Sequence, residues 1–138
     1  MHRNSGSLLI YLTGMATNHT LLCIHRDPAQ LSLLKENGYE LVTAGSGSDA
    51  LQLLISLSVD AVVLDYELSL LQGAAVAAEM KKVKPQVPIV MLTDHLELTD
   101  GTLKSVDALV TKSDGPHFLW ANVHFILNVK PAQHLEGS

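Results

Sequence analysis

The chain has 138 residues, of which 47% are hydrophobic and 17% charged, a composition typical of one globular domain and not of a disordered segment. Its formal net charge is −5 and its nine Lys and Arg residues form no basic run, so we expect no nucleic acid among its partners. The single Cys23 lies inside an apolar run, which predicts a small buried residue and excludes a disulfide within the chain.

The first 19 residues are predicted to form an amino-terminal arm, although an extra strand or an upstream start ahead of Met15 would also fit. Residues 7–16 are apolar, but they are too few to span a bilayer and no small-residue cleavage site follows them. We therefore expect no membrane association and a cytoplasmic location. The folded domain is predicted over residues 20–130, with a disordered tail at 131–138.

Strands and helices alternate along this domain. The apolar runs predict strands at 21–24, 39–44, 59–65, 88–93 and 108–112. The helical patterns lie at 29–37, 49–57, 74–84, 95–105 and 117–129. Five strands alternating with five helices predict an α/β fold in which helices cover both faces of a parallel sheet.

Local signals mark the ends of the first two helices. Asp27 followed by Pro28 is typical of a helix start, and Gly38 is typical of a helix end. Ser48 is predicted to cap the second helix.

Polar side chains end three of the predicted strands. Asp65 ends the apolar run at 59–65, Thr93 ends the fourth strand and Lys112 ends the fifth. The carboxyl ends of parallel strands open into the crevice where α/β sheets bind ligands. A carboxylate, a hydroxyl and a cation that converge there would suit one small anionic group.

This order of elements, with Asp, Thr and Lys at the ends of strands three, four and five, resembles the receiver domain of two-component response regulators over residues 21–129. Gly73 also matches the family's loop, eight residues after Asp65. The resemblance implies a flavodoxin-like, doubly wound sheet with the strand order 2-1-3-4-5. It also implies that Asp65 accepts a phosphoryl group from a histidine kinase, that Thr93 hydrogen-bonds this group and that Lys112 pairs with it.

The chain departs from the family where two acidic residues should follow the first strand and bind Mg²⁺. His25 and Arg26 occupy these positions, and Asp27 comes one place late in a helix cap. A guanidinium beside a divalent cation replaces attraction by repulsion, and each unit-charge pair contributes roughly 4 kcal/mol at 4 Å in a dielectric near 20. With Glu67 as the remaining acid, this degenerate metal site predicts no bound cofactor and at most weak Mg²⁺ binding. Arg26 is predicted to pair instead with Asp65 or Glu67.

Two further positions differ from the family. Asp94 follows the family's Ser or Thr, where the residue is usually small, and its carboxylate would repel an incoming phosphoryl group; with Glu97 it also has the spacing of a capping box. Leu109 occupies the switch position, where the family has an aromatic residue, and is predicted to be part of the core.

The last helix is apolar on two faces. One stripe is predicted to seat it on the sheet: Leu119, Val123, Ile126 and Leu127. Phe118, Phe125 and Val129 form a second face, with Trp120 beside the boundary. This face predicts a homodimer or a partner interface; the alternative is that residues 8–12 of the arm cover it.

The sequence thus predicts a stand-alone, atypical receiver domain without enzymatic activity that signals through protein contacts. Asp65 is retained, but its phosphorylation is predicted to be impaired. One alternative is an ordinary receiver phosphorylated on Asp65, in which Glu67 and Asp27 form a weaker metal site. Another is a small flavodoxin-like ligand or metal binder, in which His25 and His95 flank Asp65.

Overall fold

A computed structural model describes residues 19–25, 27–68, 72–94 and 104–128 of the chain. Within these ranges the strands and helices alternate as the sequence predicts. The strands are β1 (Thr20–Ile24), β2 (Glu40–Thr43), β3 (Ala61–Asp65), β4 (Ile89–Thr93) and β5 (Ala108–Thr111).

The described ranges contain four α-helices. These are α1 (Pro28–Glu36), α2 (Gly47–Ser56), α3 (Gln72–Val83) and α4 (Gly115–Asn128), with single 3₁₀ turns at Tyr66–Leu68 and Lys112–Asp114. The remaining predicted helix, at 95–105, falls mostly on residues outside the described ranges, as do the arm and the tail. Among the described helices, none combines the length and the apolar character needed to cross a bilayer.

The sheet has the order β2-β1-β3-β4-β5 and every neighbouring pair is parallel. The predicted flavodoxin-like topology is therefore confirmed. Parallel neighbours need crossover connections, and the helices that make them cover both faces of the sheet. For this reason β3 and β4 are apolar up to their last residues, Asp65 and Thr93, and every residue of both strands is buried.

Successive side chains of each strand point to opposite faces, which separates the core into two layers. One layer lies between the sheet and helices α1 and α4: Leu21, Cys23, Leu31, Leu34, Tyr39, Ala61, Val63, Val90, Leu92, Val110, Leu119, Val123 and Ile126. The other lies against α2 and α3: Leu22, Ile24, Ala50, Leu54, Val59, Val62, Leu64, Ala77, Met80, Val87, Ile89 and Met91. Cys23 is fully buried in the first layer, and burial raises the pKa of its thiol to about 12. It is the core residue that the sequence predicts.

The signals for the first helix are confirmed. The Asp27 carboxylate accepts a hydrogen bond from the backbone N–H of Ala29 at 3.0 Å, and Pro28 is the first helical residue. Gly38, after the helix end, has a φ of 92°, a left-handed conformation that glycine adopts without strain. Asp27 is therefore engaged in capping α1.

The predicted cap of the second helix was wrong by two residues. Ser46, not Ser48, is the N-cap, and its hydroxyl accepts the backbone N–H of Asp49 at 3.1 Å. The earlier start brings Gly47 under the third helix, where a Cβ would lie 2.5 Å from Cγ2 of Val76. Close packing between α2 and α3 thus requires glycine as the first helical residue.

Candidate functional site

Four polar residues meet at the carboxyl edge of the sheet. Asp65 and Thr93 are the last residues of β3 and β4, and His25 directly follows β1. Lys112 was predicted to end the fifth strand; β5 ends one residue earlier, at Thr111, and Lys112 begins the 3₁₀ turn that follows. Because the strands are parallel and in register, these positions converge on one crevice.

Asp65 is held by three contacts. Its Oδ2 lies 2.8 Å from Nδ1 of His25, and its Oδ1 lies 2.8 Å from Nζ of Lys112. Oδ1 also accepts the backbone N–H of Glu67 at 2.9 Å. Burial raises the pKa of the Asp65 carboxyl, but the contacts with His25 and Lys112 outweigh burial and leave this pKa below its usual value. Asp65 is therefore an ionised acid with both oxygens engaged.

His25 is a direct hydrogen-bond neighbour of Asp65. The sequence predicts it beside Asp65, as a degenerate metal-site position or as a ligand of the alternative metal binder, but it does not predict the hydrogen bond. The register pairs Ile24 with Leu64, so that His25 and Asp65, the next residues of the two strands, lie side by side. The imidazole is only 4% exposed, and its Nε2 is buried without a hydrogen-bond partner among the described residues. An ionised carboxylate can only accept, so Nδ1 of His25 carries a hydrogen and donates it to Asp65.

Glu67 is the second carboxylate of the crevice; the sequence predicts it at the degenerate metal site, but not its contacts with Thr93, Asp94 and Lys112. Its Oε2 accepts the hydroxyl hydrogen of Thr93 at 2.8 Å, and its two oxygens lie 3.1 and 3.2 Å from the backbone N–H of Asp94. Nζ of Lys112 lies 3.1 Å from Oε1. Burial raises the pKa of Glu67, but the bonds from Thr93, Lys112 and the Asp94 N–H together lower it below its usual value.

Lys112 is shared by these carboxylates. Besides Asp65 and Glu67, its Nζ lies 4.0 Å from Oδ2 of the more exposed Asp94. Burial lowers the pKa of Lys112, but Asp65 and Glu67 outweigh burial and raise it above its ordinary value. The carbonyl of Lys112 also accepts the side-chain N–H of Gln30 at 2.8 Å, which ties the turn to α1. Three carboxylates thus surround one lysine.

A close approach of backbone fixes the turn that carries Glu67. A Cβ at Gly73 would lie 2.8 Å from Cα and 3.0 Å from the carbonyl oxygen of Tyr66. Any side chain at this position would push the start of α3 away from the turn Tyr66–Leu68. The spacing between Asp65 and Gly73 therefore has a steric reason.

The described residues do not suit the Mg²⁺ ion that the resemblance implies. Asp27 caps α1, His25 directs Nδ1 at Asp65, and Glu67 is bound on the Thr93 side of the crevice. Mg²⁺ needs several oxygen ligands in near-octahedral geometry. Among the described parts of the chain, no group of three His, Cys, Asp or Glu residues could hold a metal ion.

Of two further predicted site positions, the structure describes Leu109 but not Arg26. Leu109 is half-buried in β5 and packs against the core layer of α2 and α3. Arg26 lies outside the described residues, so its predicted ion pair with Asp65 or Glu67 stays a prediction; so do the capping role of Asp94 with Glu97 and the metal alternative with His95.

The last helix presents part of its predicted second face to solvent. Leu119, Val123 and Ile126 are buried against the sheet. On the other side Phe118 is 46% and Phe125 47% exposed. Trp120 is partly buried against the core and stacks on the ring of His124 with 5.4 Å between centroids, and Val129 lies outside the described residues. The exposed apolar surface therefore centres on the two phenylalanines.

Comparison with known proteins agrees with this fold. The family model for the response regulator receiver domain matches residues 28–112, more than half of the chain. The chain belongs to the family of response regulator receiver domains, which are signalling modules of two-component systems.

Individual relatives span different lengths. The transcriptional regulatory protein GlrR of Escherichia coli (strain K12) is 35% identical over 99 residues, which cover 67% of this chain but only 22% of GlrR. That the receiver stands alone therefore stays a prediction. A CheY-like receiver domain protein from Methanospirillum hungatei JF-1 has a TM-score of 0.74 at 20% identity, covering 84% of this chain and 98% of that protein.

The response regulator TrrA of Thermotoga maritima is both similar in sequence and solved with partners. In its complex with the histidine kinase ThkA, TrrA is 31% identical to this chain with a TM-score of 0.69, covering 80% of this chain and 99% of TrrA. TrrA has also been solved in complex with Mg²⁺-BeF.

Proposed function

We propose that this chain is an atypical receiver in two-component signalling, whose Mg²⁺-dependent phosphorylation on Asp65 is impaired and which acts through protein–protein contacts. The observation that carries this proposal is the 2.8 Å contact between His25 Nδ1 and Asp65 Oδ2. The imidazole of His25 donates to the carboxylate of Asp65 at a position where the family has carboxylate ligands for a metal.

The charges of the crevice support the same conclusion. Phosphoryl transfer is catalysed almost entirely by positioning and by neutralisation of negative charge. Among the described residues of the crevice, Asp65, Glu67 and Asp94 offer three carboxylates against one cation, Lys112. Without a divalent ion, an approaching phosphoryl donor meets net negative charge, so transfer to Asp65 is slow.

Labelling with acetyl phosphate in the presence of Mg²⁺ tests the proposal directly. We expect little or no mass increase on the unmodified chain, with Asp65→Asn as the control for labelling elsewhere. Intact-mass spectrometry measures the labelled fraction. Rapid, stoichiometric, Mg²⁺-dependent labelling that Asp65→Asn abolishes would instead show an ordinary phosphorylatable receiver.

A rescue variant tests the physical reason. His25→Asp with Arg26→Asp supplies two carboxylates after β1, and we expect it to gain Mg²⁺ binding and at least a roughly tenfold faster labelling of Asp65. The matched control, His25→Asn with Arg26→Asn, removes the same contacts without adding ligands and should stay unlabelled. If both double variants are labelled equally, the metal ligands are not the limiting feature.

The proposed partners are proteins. We expect a histidine kinase to bind the chain, because TrrA, which is 31% identical, was solved in complex with the kinase ThkA. We also propose that a second copy of this chain packs against α4. Phe118 and Phe125 leave nearly half of each side chain exposed on that helix, and aromatic residues are common anchors of interfaces.

Phe125→Asp tests the homodimer. We expect a mainly dimeric unmodified chain and a monomeric variant in light scattering, since truncating a central anchor costs about 2 kcal/mol or more of binding free energy. Ile55→Asp is the matched control, because Ile55 is 59% exposed on α2, against the opposite face of the sheet. A monomeric unmodified chain at high concentration would contradict the proposed dimer.

A further inference from the structure

The Glu67 carboxylate lies inside a set of donors that come from separate parts of the fold. The Thr93 hydroxyl and the Asp94 backbone N–H stand at the end of β4, and the Lys112 ammonium follows β5. All three point at the two oxygens of Glu67, at distances between 2.8 and 3.2 Å. A hydroxyl, an amide and an ammonium around one point are the donors that a bound anion requires.

We propose that Glu67 is a built-in anionic ligand of this crevice, so that its carboxylate keeps the Thr93, Asp94 and Lys112 donors occupied and an external anion can bind them only by displacing it. That the external anion is a phosphoryl group on Asp65 rests on the function proposed above. The occupation of the donors by Glu67 does not rest on that function.

The local geometry makes Glu67 a strong competitor. Its backbone N–H is fixed by the bond to Asp65 Oδ1 at 2.9 Å, and Gly73 allows α3 to pack directly on the preceding residue, Tyr66. The turn that carries Glu67 is short and held in place, so the carboxylate has a high effective concentration at the donors. Hydrogen bonds that involve an ionised group are roughly twice as strong as neutral ones.

The consequence concerns signalling without phosphorylation. The donors at the ends of β4 and β5 are already engaged with a negative group in the unmodified chain. Their arrangement is thus independent of a phosphoryl donor. A partner that recognises the surface next to these strand ends would bind the chain in the state in which Glu67 occupies the donors. Removal of Glu67 would free them.

Binding of inorganic sulfate, followed by the NMR shift of the Asp94 amide, tests the proposal. Both proteins compared carry Asp65→Asn, which removes the phosphoryl acceptor, so the result does not depend on whether Asp65 can be phosphorylated. We expect no saturable shift in Asp65→Asn alone. The double variant Asp65→Asn/Glu67→Ala should bind sulfate with a dissociation constant lower by at least about tenfold, because two or more charge-assisted bonds become available.

Two further variants assign the effect to these donors. Adding Thr93→Val to the double variant should weaken sulfate binding, since one donor is lost. Asp65→Asn/Glu67→Gln keeps the length of the side chain at position 67 but not its charge, and it should bind sulfate with intermediate affinity. It tests the same point if the Ala variant does not fold. Equal affinities with and without Glu67, or no saturable binding in any variant, would overturn the proposal.

Discussion

Both edges of the sheet hold a lysine–carboxylate pair with the same separation. At the amino edge Nζ of Lys81 lies 2.8 Å from Oδ2 of Asp107. At the carboxyl edge Nζ of Lys112 lies 2.8 Å from Oδ1 of Asp65. All four side chains are at least three-quarters buried, so distance and burial alone do not distinguish the pairs. The groups that surround each pair distinguish them.

At the amino edge both members of the pair also form hydrogen bonds with backbone. The carboxylate of Asp107 also accepts the N–H of Ile89 at 2.8 Å, where β4 begins. Lys81 donates to the carbonyl of Val87 at 2.9 Å. One cation and one anion thus connect α3 to the starts of β4 and β5. These contacts are those of a structural pair.

At the carboxyl edge charges of one sign accumulate. Asp65, Glu67 and Asp94 share Lys112, and the buried Nε2 of His25 has no partner among the described residues. Such an arrangement is costly for folding, because like charges and an unpaired polar atom are held together. The contrast teaches that an imbalance of charge, and not the presence of an ion pair, marks the functional edge.

Neutralising each lysine separately tests this contrast with the largest expected effect. Lys112→Met should lower the free energy of unfolding by about 2 kcal/mol, because it leaves Asp65 and Glu67 buried together without a cation. Lys81→Met should lower it by only about 1 kcal/mol, because Asp107 keeps its bond from the backbone N–H of Ile89. Urea denaturation near neutral pH measures both values. Equal losses would show that the surrounding carboxylates do not matter.

The fold was predictable because its signals are local. Buried parallel strands are continuous apolar runs. The run 59–65 predicted the end of β3 at Asp65 and placed its start two residues too early. The cap at Asp27 and the glycine at Gly38 fixed the ends of α1. The cap of α2 was wrong because Ser46 and Ser48 are chemically equal candidates. Only the contact of Gly47 with Val76, which is far away in sequence, decides between them.

The site was predictable in its positions but not in its contacts. Strand ends placed Asp65, Thr93 and Lys112 at one edge, since strand topology alone decides this. Which donor faces which acceptor depends on side-chain directions. The contact of His25 with Asp65 could have been read from the register of β1 and β3, once their pairing is known. The inward direction of Glu67 could not have been predicted in this way, because it is set by a 3₁₀ turn that packs against Gly73.

The pH dependence of stability gives the finest test of the comparison. Despite burial, His25 and Lys112 hold the pKa of Asp65 below its ordinary value of 3.8. Thr93, Lys112 and the Asp94 N–H likewise hold the pKa of Glu67 below its ordinary value of 4.5. These carboxylates stabilise the fold fully above pH 4.5, and this contribution is lost as the pH falls through their lowered folded pKa values. Conversely, the pKa of Lys112 is raised above 10.5, so its contribution is full below pH 10.5 and is lost as the pH rises through the raised value.

The difference in unfolding free energy between the unmodified chain and Lys112→Met should therefore form a plateau between about pH 4.5 and 10.5 and decline on both sides. Urea denaturation across this range measures the curve. A difference that stays constant through the acid limb would mean that Lys112 does not interact with ionised Asp65 and Glu67. In that case Lys112 would stabilise the fold without an electrostatic contribution from these carboxylates, and the distinction between the two edges would fail.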